Sequence, residues 1–409
     1  MTGPEKPSLN LSPEVQSIQG ETGFAFIAKA REVQKRKGIP IYSFGIGQPD
    51  FPTPKHIVDA AKKALDEGFT GYTETAGIPE LREAIADYLN SRYKGDVSPD
   101  EIVVTPGAKT AIYLALASYV TEGDEVVIVE PSYYAYAMVV KMRRGKPVFA
   151  AADFVPGKGF VINEEKILEK ITSKTKAIVI NNPHNPTGSI FSPGQIDSLV
   201  EIAREKGILL VSDEIYDNFV FHGEFKSLLD YEDWRDTSIV INGFSKTFSM
   251  TGWRLGYVVA RKEVIPRLTA LAVTMYSCAP SFVQKAGVAA LKGDWSPVRE
   301  MVQEFKERAE LLHTELTRIP GFESYLPHGA FYLYPRIERL LGMIGMNTHE
   351  FVNYLLEEKG VIILPGDSFP DKAGVNHVRF SFATSKDVIR KGTSLIREAV
   401  EELLSKTKP

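Results

Sequence analysis

From about residue 50 the chain alternates short, nearly unbroken apolar runs with longer stretches whose apolar residues recur at helical spacing. The runs Ile102–Thr105, Val126–Glu130, Ala177–Asn181, Ile208–Ser212, Ser238–Asn242 and Tyr257–Ala260 predict strands. They are rich in Val and Ile and show little polar alternation, as strands covered on both faces do. Between them Thr110–Thr121 and Pro193–Lys206 predict helices, with Gly207 placed to cap the second. Strand and helix in alternation predict an α/β fold on a mostly parallel sheet.

Ser296 followed by Pro297 predicts the start of a long charged helix that runs to about Arg318 and ends near Pro320–Gly321. Beyond it, strands are expected near Phe331–Tyr334, Val361–Leu364 and Val378–Phe382, in a smaller α+β domain. The expected division is an N-terminal segment 1–49 packing with that small domain, a large domain 50–296 and the small domain 297–409.

Composition narrows the function classes only a little. The 409 residues are 44% hydrophobic and 24% charged, with a formal net charge of -4. This is ordinary globular composition, with no overall pull toward nucleic acid or an anionic membrane. Cys278 is the single cysteine, so no internal disulfide forms and a reducing compartment is expected. The N-terminal stretch Met1 to Gln19 is polar, carries Pro4, Pro7 and Pro13, and has no signal-peptide pattern. The most apolar stretch, Ala111 to Val120, is interrupted by Tyr113, Ser118 and Tyr119 and is too short to cross a bilayer. The cytoplasm is the expected location.

Chemistry concentrates after the strands, where open α/β sheets bind ligands. Thr105-Pro106-Gly107-Ala108-Lys109-Thr110 joins a strand to a helix with an uncluttered backbone. It reads equally as a phosphate cup at a helix N-terminus and as a ligand-free turn. The loop Asn181-Asn182-Pro183-His184-Asn185-Pro186-Thr187-Gly188 is either a stiff connector or a ligand loop offering amide side chains. Asp213-Glu214-Ile215-Tyr216 puts a carboxylate directly after a buried strand, where it needs a cation or strong donor unless it only caps a helix. In Gly243-Phe244-Ser245-Lys246-Thr247-Phe248-Ser249-Met250-Thr251-Gly252-Trp253-Arg254, Lys246 stands four residues beyond a strand among small and apolar neighbours. Burial favours the neutral, nucleophilic amine, and Arg254 is spaced to return and clamp a phosphate.

Together, in this order and spacing, these segments resemble the class I/II aminotransferases, the fold-type-I pyridoxal-phosphate enzymes, from about Gly45 to Arg379. The resemblance implies a seven-stranded sheet flanked by helices and pyridoxal 5'-phosphate as cofactor. Lys246 would carry the cofactor as a Schiff base and move the substrate proton, and Asp213 would pair with the pyridine nitrogen. Tyr216 and Asn185 would bond the phenolic oxygen, and Tyr133 would stack on the ring. Gly107, Ala108, Lys109, Ser245 and Arg254 would hold the phosphate, joined by Tyr72 from the other subunit of a homodimer. Arg379 and Gly47, with Asn185, would bind the substrate carboxylate. No metal is implied. Many relatives have serine three residues before the lysine; here Gly243 stands there, so one phosphate hydrogen bond is expected to be missing.

The implied reaction transfers the amino group of an L-amino acid to 2-oxoglutarate with ping-pong kinetics. Lys109 falls where aspartate-directed relatives have lysine, so aspartate is the expected donor. The segments Asn242–Phe248 and Pro327–Tyr332 resemble aromatic-directed members, and Tyr133, Tyr134 and Tyr136 could line a pocket for rings, which keeps aromatic donors open. The same fold hosts lyases, decarboxylases and synthases. Aminotransferase-like regulators carry a DNA-binding extension, for which the short N-terminal stretch leaves no room.

Overall fold

The computed structural model describes residues 11–18, 20, 22–370 and 372–407; Pro4 and Pro7 lie outside the described residues. Seven strands form the central sheet: β1 (Ile102–Thr105), β2 (Glu125–Glu130), β3 (Lys146–Ala151), β4 (Thr175–Asn181), β5 (Leu209–Asp213), β6 (Ser238–Gly243) and β7 (Gly256–Val259). Their order is β1-β7-β6-β5-β4-β2-β3. All neighbours are parallel except β7, which runs antiparallel to both β1 and β6. Val103, Val127, Ile178, Val211 and Ile241 are fully buried, as continuous apolar runs covered on both faces require.

The six strands expected from apolar runs are present, within a residue of their expected bounds at most ends. The seventh, β3, has no counterpart among those runs. It is the edge strand, exposed or half-buried along most of its length, so it lacks an unbroken apolar run.

Helix α1 (Ala108–Ala117) starts two residues earlier than expected and ends four earlier, with Gly107 before it at φ 86°. Helix α2 (Pro193–Lys206) has the expected bounds. Ser192 and Gln195 form a reciprocal cap at its start, and Gly207 closes it in the left-handed region at φ 62°. Helix α3 (Ser296–Leu316) carries Pro297 in its first turn, but Trp295 holds the capping position. The Ser296 N–H donates instead to Asp294 at 2.8 Å, so the carboxylate supplies the acceptor expected from serine.

Past α3, a three-stranded antiparallel sheet joins β8 (Tyr332–Leu333), β9 (Leu364–Pro365) and β10 (Val378–Ser381) in the order β8-β10-β9. The single strand expected over 361–364 is divided. Val361–Ile362 pairs in parallel with Tyr42–Ser43, while Leu364–Pro365 turns to β10. The helix Thr22–Lys37 packs on the same region through Val33, Leu356 and Ile362, and Lys29 Nζ donates to Asn353 Oδ1 at 2.6 Å. No described helix is long and apolar enough to cross a membrane.

Candidate active site

Strand direction builds the site. Parallel strands deliver their carboxyl ends to one rim, and antiparallel β7 brings its amino end, Gly256, to the same rim. There lies a cavity of about 520 Å³. It is lined by Gly47, Ala108, Lys109, Tyr133, Asn185, Asp213, Tyr216, Ser245, Lys246, Arg254 and Arg379, eleven of the thirteen residues expected at the site. Of the other two, Gly107 lies against Arg254, and a Cβ built on it would collide with the guanidinium. Tyr72 stands outside the cavity, 91% exposed.

At one end is a cradle suited to a phosphate. Ala108 is the first residue of α1, and a helix leaves its first N–H groups without intrahelical acceptors. Arg254, itself left-handed at φ 57°, donates from Nη1 to Thr251 O at 2.8 Å, which holds its head over Gly107. Gly243 and Gly256 face each other in the β6–β7 ladder. A Cβ on Gly243 would sit 2.9 Å from Gly256 Cα and 3.0 Å from Leu255 O, so this sheet admits only glycine there without a backbone shift.

In the middle, Asp213 ends β5 and is 4% exposed. Tyr136 donates its hydroxyl to Oδ2 at 2.8 Å and the Ile215 N–H donates to Oδ1 at 3.2 Å. Burial still pushes the carboxyl up to about 6, against the hydrogen bonds from Tyr136 and Ile215 and the charge of Lys246. Asn181 fixes the neighbouring loop: its Nδ2 donates to Asp213 O at 2.8 Å, and its Oδ1 accepts from the Asn185 N–H at 2.7 Å. His184 is buried and held neutral, its pKa lowered to about 3 by burial. Its Nδ1 lies 2.8 Å from Thr187 Oγ1, a packing role within the loop.

Lys246 follows β6, and its Nζ donates to Gly47 O at 2.6 Å. Tyr216 is buried, which raises its phenol well above the usual value and keeps the proton on it. At the far end Arg379, 6% exposed, donates to Gly45 O at 2.6 Å and to Asn185 Oδ1 at 3.3 Å. The rings of Tyr332 and Phe369 lie 4.6 and 4.7 Å from its guanidinium carbon. Its Nε is buried with no partner. Lys109 Nζ lies 3.1 Å from the Tyr134 hydroxyl at the edge.

Three contributors escape the sequence reading in these roles. The sequence marks Tyr136 only as a ring-lining residue, yet it is the donor to Asp213. Tyr332 and Phe369 come from the second layer, where the chain pattern gives no reason to turn them toward the sheet. The one available signal is the aromatic density of Phe331-Tyr332-Leu333-Tyr334.

The donor set fits pyridoxal phosphate. A buried carboxyl, a lysine amine, a helix N-terminus with an arginine, and an arginine with an orphaned Nε share one cavity. Such a fold and site define a fold-type-I pyridoxal-phosphate enzyme. The family Aminotransferase class I and II matches residues 39–394, and the chain belongs to it. The aspartate aminotransferase of Sulfurisphaera tokodaii is 49% identical over 399 residues, 98% of this chain and 100% of that one. The crystal structure of an aspartate aminotransferase from Thermotoga maritima superposes with a TM-score of 0.88 at 34% identity, covering 96% of this chain and 100% of that one. An aromatic aminotransferase structure from Pyrococcus horikoshii gives 0.84 at 33%, covering 93% and 100%. The protein is a pyridoxal-phosphate-dependent aminotransferase, acting on an amino acid and an oxo acid.

Proposed function

We propose that this enzyme transfers the amino group of L-aspartate to 2-oxoglutarate, with both substrates taking turns in the one cavity. When bound, the cofactor supplies an electrophilic carbon and a sink for the electrons of the substrate α-carbon. In this reading Ala108, Lys109, Gly107, Ser245 and Arg254 hold its phosphate, Asp213 its protonated ring nitrogen, Tyr216 and Asn185 its phenolic oxygen, and Tyr133 one face of the ring. A ring N–H beside Asp213 would offset the burial that holds this carboxyl near 6 and return it to the ionised form.

Lys246 is the residue to which the cofactor attaches, and its Nζ is the base that takes the proton from the substrate α-carbon. Gly47 O, 2.6 Å from that nitrogen, fixes where it stands. Arg379 orients the substrate by its α-carboxylate, with the Gly47 amide and Asn185 beside it. Its partnerless Nε is the observation that carries this role, since a buried guanidinium N–H is stable only when an acceptor arrives. Lys109 at the cavity edge meets the distal carboxylate of aspartate. The relative named for aspartate supports this choice. Tyr133 and Tyr134 in the lining, with the aromatic aminotransferase structure, favour a second reading with aromatic donors.

A homodimer completes this reading: Tyr72, 91% exposed here, reaches the phosphate of the other subunit. Division of the chain near residues 49 and 296 accompanies it, supported by the separate sheets on either side of α3. The test is absorbance of cofactor-loaded protein while L-aspartate and L-phenylalanine are added separately. Aspartate should convert the lysine-bound cofactor to its amine form, and 2-oxoglutarate should reverse it. Conversion by phenylalanine alone would move the assignment to aromatic donors; conversion by neither would refute both.

A further inference from the structure

Tyr332, on β8, lines the cavity and is 2% exposed. Its ring supports the Arg379 guanidinium at 4.6 Å, and its hydroxyl lies 2.9 Å from the Tyr216 hydroxyl. A Cβ built on Gly47 would collide with that hydroxyl, so glycine at 47 and tyrosine at 332 share one space. Gly47 in turn accepts from Lys246 Nζ. One phenol therefore touches the carboxylate-side arginine, the cofactor-side tyrosine and the glycine that holds the lysine.

Two hydroxyls at this distance have a single hydrogen between them. If Tyr216 donates, its hydrogen is committed to Tyr332. If Tyr332 donates, the Tyr216 hydrogen turns outward, toward the place assigned above to the phenolic oxygen of the cofactor. A phenolate there selects the second arrangement. A hydroxyl that accepts a hydrogen bond at its oxygen becomes a stronger donor at its hydrogen.

We propose that Tyr332 is a positioning residue: it donates to Tyr216 and so strengthens Tyr216 as a donor to the phenolic oxygen of the cofactor. This rests on the cofactor placement of the proposed function. The ionisable groups around the pair are Asp213 from the same segment as Tyr216, Lys246 from the loop after β6, Arg379 from β10, and Tyr136 from the helix Ala135–Met142. Tyr136 is committed to Asp213, so it does not compete for the Tyr216 oxygen.

The test is a pH titration of the absorbance of cofactor-loaded protein without substrate, for wild type, Tyr332→Phe, Tyr216→Phe and the double variant. Phenylalanine keeps the ring under Arg379 and removes only the hydroxyl. Donation to the phenolate favours the deprotonated cofactor, so Tyr332→Phe should raise the midpoint by about half a pH unit, about threefold in proton affinity. Tyr216→Phe should raise it further, and adding Tyr332→Phe to that variant should change nothing. A midpoint unmoved by Tyr332→Phe, or moved equally in both backgrounds, overturns the proposal while leaving the cofactor site intact. Absorbance that persists unchanged in Lys246→Ala overturns the site reading and this inference with it.

Discussion

One wall of the cavity carries Asp213, Asn185 and Lys246 on successive strand ends of a single sheet, with Asn181 and Asp213 paired in register. The opposite wall is gathered from distant parts of the chain: Lys246 meets Gly47 across 199 residues, and Arg379 meets Gly45 across 334. The first wall is fixed by the hydrogen-bond ladder of a buried sheet. The second is fixed by a few long-range contacts between layers, and Arg379 keeps an orphaned N–H there. The contrast suits an enzyme that keeps one ligand and exchanges others. Changes in the sheet wall should damage cofactor retention and chemistry, and changes in the gathered wall should damage substrate binding.

The largest break in that contrast is Lys246→Ala, expected to lower kcat/KM by about 10³-fold or more in steady-state assays. Asp213→Asn should follow, with kcat down about 10²-fold and cofactor dissociation faster, measured by dialysis and absorbance. A variant that kept its cofactor as wild type does would remove Asp213 from the sheet-wall role. Arg379→Lys should act on the other side, raising KM for the amino acid about 10- to 100-fold while the cofactor is retained normally, because a bidentate partner is lost. Equal loss of cofactor in this variant would erase the distinction between the walls. Lys109→Ala should be smaller still, raising KM several-fold for aspartate and leaving phenylalanine unaffected, as an exposed charge pair would.

A pH effect sharpens the same contrast in the cofactor-free protein. Burial pushes Glu214 up to about 8 and Asp213 to about 6, above unfolded values near 4. Both carboxyls are protonated in the fold at low pH, so their contribution to stability is fully present below about pH 4. It is lost as pH rises through about 6 for Asp213 and about 8 for Glu214. Thermal melts should therefore fall in Tm between about pH 4 and 8. Glu214→Gln should flatten the upper part of that slope. The amide cannot ionise, yet its oxygen can still accept from the Leu228 N–H, and its NH2 can donate to the Ser227 hydroxyl, in place of the two carboxyl oxygens that now accept from these groups.

The sheet wall is legible in the sequence because local rules set it. An apolar run ends and polar residues follow at the rim: Asp213 closes β5, and Lys246 stands in the short loop after β6. Arg254 and Gly107 are legible one by one, but their contact depends on a left-handed turn at Arg254 that no apolar pattern encodes. The gathered wall is readable only through family likeness, for Arg379 and Gly47, because pairing between residues hundreds of positions apart leaves no periodic trace. Tyr332 leaves only the aromatic density of Phe331–Tyr334, and Phe369 leaves no trace. Edge strand β3 escapes for the opposite reason: with one side open, it needs no continuous apolar run.

The central claim is that Lys246 holds the cofactor of an aminotransferase. Reducing the cofactor-loaded enzyme with borohydride and mapping the modified lysine by peptide mass spectrometry tests it most directly. The predicted result is a single stable adduct on the peptide that contains Lys246, absent when L-aspartate is present in excess before reduction. An adduct on another lysine, or none, would contradict the account.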